Sequence, residues 1–408
     1  MSSRVNKTII TALVCIAVQG LSCAWGQDKR SNWGVKAGAD RMTIGSFRDS
    51  YTSTGFNSYI LEFDYLTGPS NGKDGYAAGY NYPVFGIGIT WNTLSDVDFK
   101  STKGHYSDMF ALYGKISRDL IRTRHIGFGY DVSLGLSYSS GYYDPLTNPS
   151  NWFFSAPVLF YVAGGGHLTW MVAPRLDVEA GINVRHNSSA RFAYPNGGLN
   201  YWGGGLAVRY RLSEREKTRG NVFKTTTISK DLYDKGWSFE VYAGGGVHAC
   251  AAEWKATTKT VSKETLAETN LRKWPMFSLS ADAIYRLTGR FALGGTIDTF
   301  WNTNIENLKW SDSVLYSEEE IAASKGYYPF SFGFGLVQEV FYKDFALYIQ
   351  EGVYLLRRMG VHAEHGWLYE RAGLRYYPKA LDPFFLSVCI KAHRFKADYM
   401  DFCVGVRF

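Results

Sequence analysis

An all-β fold, a transmembrane antiparallel β-barrel of about sixteen strands, is what this sequence predicts, and three observations carry the prediction. The 408 residues are rich in Tyr (29), Phe (26), Trp (12) and Gly (43), at a mean hydropathy of −0.19. No segment beyond the N-terminal leader approaches the roughly 20 consecutive apolar residues a membrane helix needs, which excludes a helical membrane protein. Segments of about 10 residues that alternate apolar and polar, separated by turn residues, recur along the chain. A soluble β-sandwich shares that period and is the alternative fold.

The N-terminus reads as a secretory signal over residues 1–26. Arg4 and Lys7 precede an apolar run from Thr8 to Val18, and Ala24, Trp25 and Gly26 make a small-x-small cleavage site. Gly20, Leu21 and Ser22 form a poor lipidation box before Cys23. Removing this segment lowers the net charge from +7 to +5, because Arg4 and Lys7 leave with no Asp or Glu. No strong electrostatic partner follows and no nucleic acid is expected, although scattered basic side chains suit lipid phosphates. Cys250, Cys389 and Cys403 remain, an odd number that rules out a full disulfide framework. Cys389 and Cys403 read as small residues on an inner barrel face.

Turns set the order of the strands. Short turns fall near Arg122, Pro174, Gly289, Lys343 and Lys379, while longer polar loops occupy residues 93–105, 140–154, 251–274 and 303–327. Short turns belong at the periplasmic end and long loops outside. Two connections break that rule, residues 67–80 and 213–236. The second divides the chain into 27–212 and 237–408, and suggests either one large barrel or two tandem barrels of about eight strands. One barrel is the preferred expectation. In the closing segment Met400, Phe402, Val404, Val406 and Phe408 share one face, with Asp401, Cys403, Gly405 and Arg407 on the other. This pattern resembles the terminal strand that barrel-assembly machinery recognises, and Phe408 is expected to face lipid.

The stretch from Leu176 to Leu212 carries the chemistry. Leu176, Val178, Ala180, Ile182 and Val184 share one face of a strand, while Asp177, Glu179, Gly181, Asn183 and Arg185 share the other and should point inward. Continuing the apolar parity reaches His186 and then Ser188. After a loop holding Pro195, Asn196, Gly197 and Gly198, a second strand carries Leu206, Val208, Tyr210 and Leu212 on its apolar parity, which counts back through Trp202 to Asn200. A base, a hydroxyl and an amide are thus predicted on the lipid side of one hairpin.

The segment HNSSARFAYPNGGLN from His186 resembles the active-site hairpin of the outer-membrane lipid A 3-O-deacylases, the PagL-type acyloxyacyl hydrolases. That family shows His-x-Ser-Asn, then Pro-Asn-x-Gly, then an acidic residue or Asn. Pro195, Asn196, Gly198 and Asn200 fall nine, ten, twelve and fourteen residues after His186, in register with the pattern. YNYPVFGIGI (80–89), ALYGKISRDLIR (111–122), ERAGLRYYP and the closing KADYMDFCVGVRF are similar to segments of the longer members from Bacteroides-like bacteria. The resemblance implies a serine esterase that removes an ester-linked acyl chain from lipid A of lipopolysaccharide, with Ser188 as nucleophile, His186 as general base and Asn200 orienting the imidazole. Asn200 stands where small members have glutamate, so slower turnover is expected. Ser189 stands where the family has Asn, which leaves oxyanion support to Asn196, Asn187 or backbone N–H groups of the loop around Gly198. A barrel with a degraded site, kept as a pore or structural protein, is the alternative.

Other motifs carry less. His362, Glu364 and His365 lack further ligands and read as surface loop, and no metal or cofactor is expected. Gly164–Gly166, Gly203–Gly205 and Gly244–Gly246 are not phosphate loops but places for bulges and close strand approach. Glu240, Asp282, Asp298 and Asp401, with Arg286, Lys391 and Arg407, are expected to face inward and neutralise one another.

Overall fold

Sixteen strands close into two barrels of eight in the computed structural model, which describes residues 34–45, 58–67, 74–94, 105–212, 227–268 and 273–408. The predicted signal segment lies outside these residues. The first barrel holds β1 (Gly34–Gly45), β2 (Ser58–Thr67), β3 (Val84–Asn92), β4 (Met109–Arg122), β5 (Ile126–Ser139), β6 (Val158–Ala173), β7 (Leu176–Ser188) and β8 (Leu199–Arg211). The second holds β9 (Gly236–Ala249), β10 (Lys273–Arg286), β11 (Phe291–Asn302), β12 (Phe330–Tyr342), β13 (Phe345–Leu356), β14 (Leu368–Tyr376), β15 (Phe384–His393) and β16 (Lys396–Arg407). Every pairing is antiparallel between sequence neighbours, and β1 closes on β8 as β9 closes on β16.

The single large barrel expected from the strand count is therefore corrected to the tandem alternative. The physical reason is the lumen. Eight strands enclose a space that side chains fill, whereas sixteen leave an aqueous channel. Here the inward side chains are charges that satisfy one another across a narrow interior. In the first barrel Lys36 meets Glu179 at 2.6 Å, Lys115 meets Asp64 at 2.5 Å, and Arg185 reaches Glu62 at 3.0 Å and also pairs with Asp40. Arg211 meets Asp177 at 2.7 Å. A cavity between Lys36, Asp131, His167 and Glu179 has a volume of about 30 Å³, room for about one water molecule.

The second lumen is packed in the same way. Arg371 holds Asp298 at 3.0 Å and Asp401 at 2.9 Å, while Arg375 holds Glu240, Glu339 and Asp282 at 2.8, 2.8 and 2.7 Å. The inward acids were expected, but these two arginines at its centre were not. Lys391 pairs with Asp398 and Arg407 with Glu240, as neutralisation requires. Arg286 instead sits at the short-turn end, where it meets the Tyr76 hydroxyl of the first barrel at 3.1 Å. Cys250, Cys389 and Cys403 are free and buried.

Apolar side chains cover the outside. Ile182 is 73 % exposed, and Leu206, Ile87, Leu336 and Phe402 are also open. Trp91, Tyr138, Trp301 and Phe330 ring one end, and Trp170, Tyr210, Phe345, Phe384 and Phe408 the other. Greasy outside, charged inside and aromatic at both rims is the inverse of a soluble sandwich and the pattern of a barrel in lipid. No helix among the described residues is long and apolar enough to cross a membrane.

The two connections that broke the turn rule have a common use. The first carries α1 (Gly75–Gly79), and the second ends in a 3-10 turn at Lys230–Leu232. Tyr76 and Tyr80 from one and Ile228 from the other form a single buried cluster with Tyr233 and Tyr342. Tyr80 donates to the Phe341 carbonyl, and Lys343 pairs with Asp74 at 2.5 Å. These joints clamp the barrels side by side at the rim that carries the short turns.

Candidate active site

β7 alternates as its sequence predicts. Asp177, Glu179 and Arg185 are buried in the lumen, and the Asn183 amide donates to Asp40 at 3.1 Å. Val178, Ile182 and Val184 face out. The parity then delivers His186 to the lipid side, directly across the ladder from Asn200 on β8 and Val162 on β6. Ser188 follows on the same side, opposite Phe160.

Below His186 the outer wall is unusually bare. Ile182 lies between Gly166 on β6 and Gly204 on β8, and Val184 between Gly164 and Trp202. The glycine triplets allow close approach, as expected. A Cβ at Gly203 would lie 2.2 Å from the Arg41 carbonyl, and one at Gly165 only 2.2 Å from Asn183 Oδ1.

His186 Nδ1 and Asn200 Oδ1 are 2.8 Å apart. An amide oxygen only accepts, so Nδ1 carries the proton and Nε2 keeps its lone pair. That is the tautomer a general base needs. The Nε2 edge stays open because residue 198 is glycine. Gly198 has φ of 72°, and a Cβ there would fall 2.7 Å from His186 Cε1 and 3.5 Å from Nε2. A side chain would be strained and would crowd the ring.

Ser188 is buried, and its Oγ lies 3.4 Å from the Ala190 N–H. Among the described residues no hydrogen bond joins it to His186, so rotation of the hydroxyl toward Nε2 is required before proton transfer. Catalytic hydrogen bonds often tighten in this way once substrate is bound. The following turn is tight, with Ala190 and Arg191 at φ of 47° and 64°. Asn196 shapes it, its Oδ1 accepting from the Ser189 N–H at 2.9 Å and from Ser189 Oγ at 3.0 Å. Ser189 therefore works as a latch for the loop.

One expected support residue is corrected. Asn187 has the inward parity, and its Oδ1 accepts from Ser137 at 2.7 Å inside the barrel. It cannot reach an oxyanion on the lipid side, and its own parity already said so. Asn196 directs its oxygen to Ser189. The Ala190 N–H, missed by side-chain reasoning, is the donor beside the nucleophile.

The loop is also tied to its neighbour, residues 140–157. The Gly197 and Gly198 N–H groups donate to the carbonyls of Trp152 and Phe153 at 2.9 and 2.8 Å. Phe153 and Phe154 plug the mouth of the barrel with Met42, Met109, Leu199 and Tyr201. No group of three or more metal-ligating side chains comes together among the described residues. His362 pairs with Asp312 at 3.1 Å, while the side chains of Glu364 and His365 lie outside those described.

Fold and outer surface define a β-barrel of the outer-membrane type, with the His186–Asn200 pair on the lipid side of one hairpin. Residues 237–408, the second barrel, match the family model described as the acyloxyacyl hydrolase C-terminal domain. Solved structures similar to the chain include Neisserial surface protein A (11 % identity, 45 % of this chain and 99 % of that one, TM-score 0.30). The outer membrane enzyme PagL follows (10 %, 43 % and 98 %, TM-score 0.27), then Ail of Yersinia pestis (9 %, 45 % and 100 %, TM-score 0.23). Scores this low carry no functional weight. No curated protein matches the sequence at a significant level.

Proposed function

We propose that the chain is a lipid A deacylase in which Ser188, His186 and Asn200 cleave an ester-linked acyl chain from the outer leaflet. The observation that carries this reading is the 2.8 Å His186–Asn200 contact on the lipid-facing side of the strand that also presents Ser188. A lipid substrate reaches the outside wall of a barrel without leaving the bilayer. The exposed strip of Ile182, Val184 and Leu206 gives an acyl chain an apolar surface to lie against.

The chemistry proceeds in two halves. Ser188 Oγ attacks the ester carbonyl as His186 Nε2 takes its proton, and the Ala190 N–H donates to the developing oxyanion. Collapse breaks the ester C–O bond, and His186 returns the proton to the leaving alkoxide of the sugar. Water, deprotonated by His186, then attacks the acyl-serine, and His186 returns that proton to Ser188 Oγ as the acyl C–O bond breaks and the fatty acid leaves. Asn200 fixes the tautomer but supplies no charge to the imidazolium, so the acceleration is smaller than with a carboxylate. The pore reading is disfavoured by two lumens filled with ion pairs.

The test is release of free fatty acid from lipid A in vesicles containing the folded protein, followed by mass spectrometry. Wild-type protein should release it and Ser188→Ala should not. Equal release by the two would end the enzyme reading.

A further inference from the structure

The second barrel touches the first at the site itself. Helix α2 (Ala251–Thr260) follows β9 and is fastened to its own barrel by the Trp274 indole donating to Glu253 at 2.8 Å. From this helix the buried Trp254 reaches across to the first barrel. Its ring centroid lies 5.1 Å from Trp152, 5.1 Å from Tyr194 and 5.9 Å from Tyr143. Trp152 is the residue whose carbonyl takes the Gly197 N–H, next to the Gly198 that frames His186. Tyr194 lies in the same loop, two residues before the Asn196 that latches Ser189.

A second contact reaches the nucleophile turn. The Ala249 N–H, at the end of β9, donates to the Arg191 carbonyl at 2.7 Å, and the Arg191 guanidinium lies 3.6 Å from Asp398 of β16. Lys273 of β10 stands 4.9 Å over the Phe192 ring. Ala190 and Arg191 are consecutive non-glycine residues in the left-handed region, a conformation that persists only where surroundings hold it. Much of that surrounding is supplied by the second barrel.

We propose that Trp254 is a positioning residue, through which the second barrel holds the Ser188 turn and the His186 frame of the first in reacting geometry. The inference rests on the deacylase reading for its kinetic readout. It explains why a barrel without a hydrolytic hairpin of its own is joined to one that has it. Misplacement of about 1 Å costs on the order of 10²-fold in rate, so a loop left unsupported lowers turnover before it lowers binding.

The experiment uses the full chain in lipid A vesicles, comparing wild type with Trp254→Ala, Trp254→Leu and Trp254→Phe. Fatty acid release gives kcat and KM, hydrogen exchange reports on the 186–198 segment, and heat-modifiable gel mobility reports on barrel folding. Trp254→Ala should lower kcat by about 10-fold or more with KM nearly unchanged, and raise exchange in 186–198, while both barrels stay folded. Trp254→Phe should recover most of the loss. Trp254→Leu, which keeps apolar volume without the ring edges, serves if the alanine variant does not fold. Wild-type kcat and wild-type exchange in a folded Trp254→Ala or Trp254→Leu would overturn the proposal. Should wild type release no fatty acid, the deacylase reading fails, and the exchange comparison alone decides this one.

Discussion

The hairpins that end the two barrels differ in the length of the loop between their strands. Between β7 and β8 the chain makes a ten-residue loop, 189–198, that curls back over its own strands and ties to 140–157. Between β15 and β16 it turns in two residues, Arg394 and Phe395. The outward positions near the end of β15 are Ile390 and Ala392, where β7 has His186 and Ser188. The barrels share strand number, closure and a charge-packed lumen, so what sets the first apart is this loop and the polar side chains beside it, not the architecture. The family model matches the second barrel, which lacks the His186–Asn200 hairpin.

The sharpest way to break this contrast is to remove the chemistry from the first barrel. Ser188→Ala and His186→Ala should each reduce fatty acid release by about 10³-fold or more with gel mobility unchanged, because neither side chain sits in a lumen network. The opposite lesion belongs in the second barrel. Arg371→Ala strands Asp298 and Asp401 in a buried interior and should cost about 3–5 kcal/mol, read as a lower midpoint in denaturant unfolding, with Ser188 chemically intact.

Smaller changes sharpen the picture of the hairpin. Gly198→Ala meets both the positive φ and the 2.7 Å approach to His186, and should lower kcat about 10-fold or more in a folded barrel. Asn200→Ala loses one neutral hydrogen bond of about 1 kcal/mol, roughly a 5- to 10-fold effect on kcat. Asn200→Glu should hold or raise activity by stabilising the imidazolium. Least of all, Asn187→Ala should change kcat less than about 3-fold, since its partner Ser137 lies in the lumen. A large loss there would restore Asn187 to the site.

Much of this was legible because a strand has period 2. Counting from Val178 to Ser188 put His186, Ser188 and Asn200 on the lipid side, and the same count placed Glu240, Asp282, Asp298 and Asp401 inside. Arg371 and Arg375 were legible too, lying four apart on the inward parity of β14, although ERAGLRYYP drew notice for its resemblance and not its alternation. Asn187 shows the converse, a residue assigned to the site against its own parity.

Local alternation thus decided which side chains meet lipid and which meet one another, since each strand residue points the opposite way from its neighbour whatever the barrel's size. Closure was decided elsewhere. Whether β8 returns to β1 or continues to β9 depends on how many charges a lumen must accommodate and on edges far apart in sequence, and no count along a single strand contains that. The same is true of the site's surroundings. Tyr76 meets Arg286, and Trp254 meets Trp152 and Tyr194, only after both barrels have closed and packed. Such contacts are set by the shapes of two finished surfaces, which the order of residues along either one does not state.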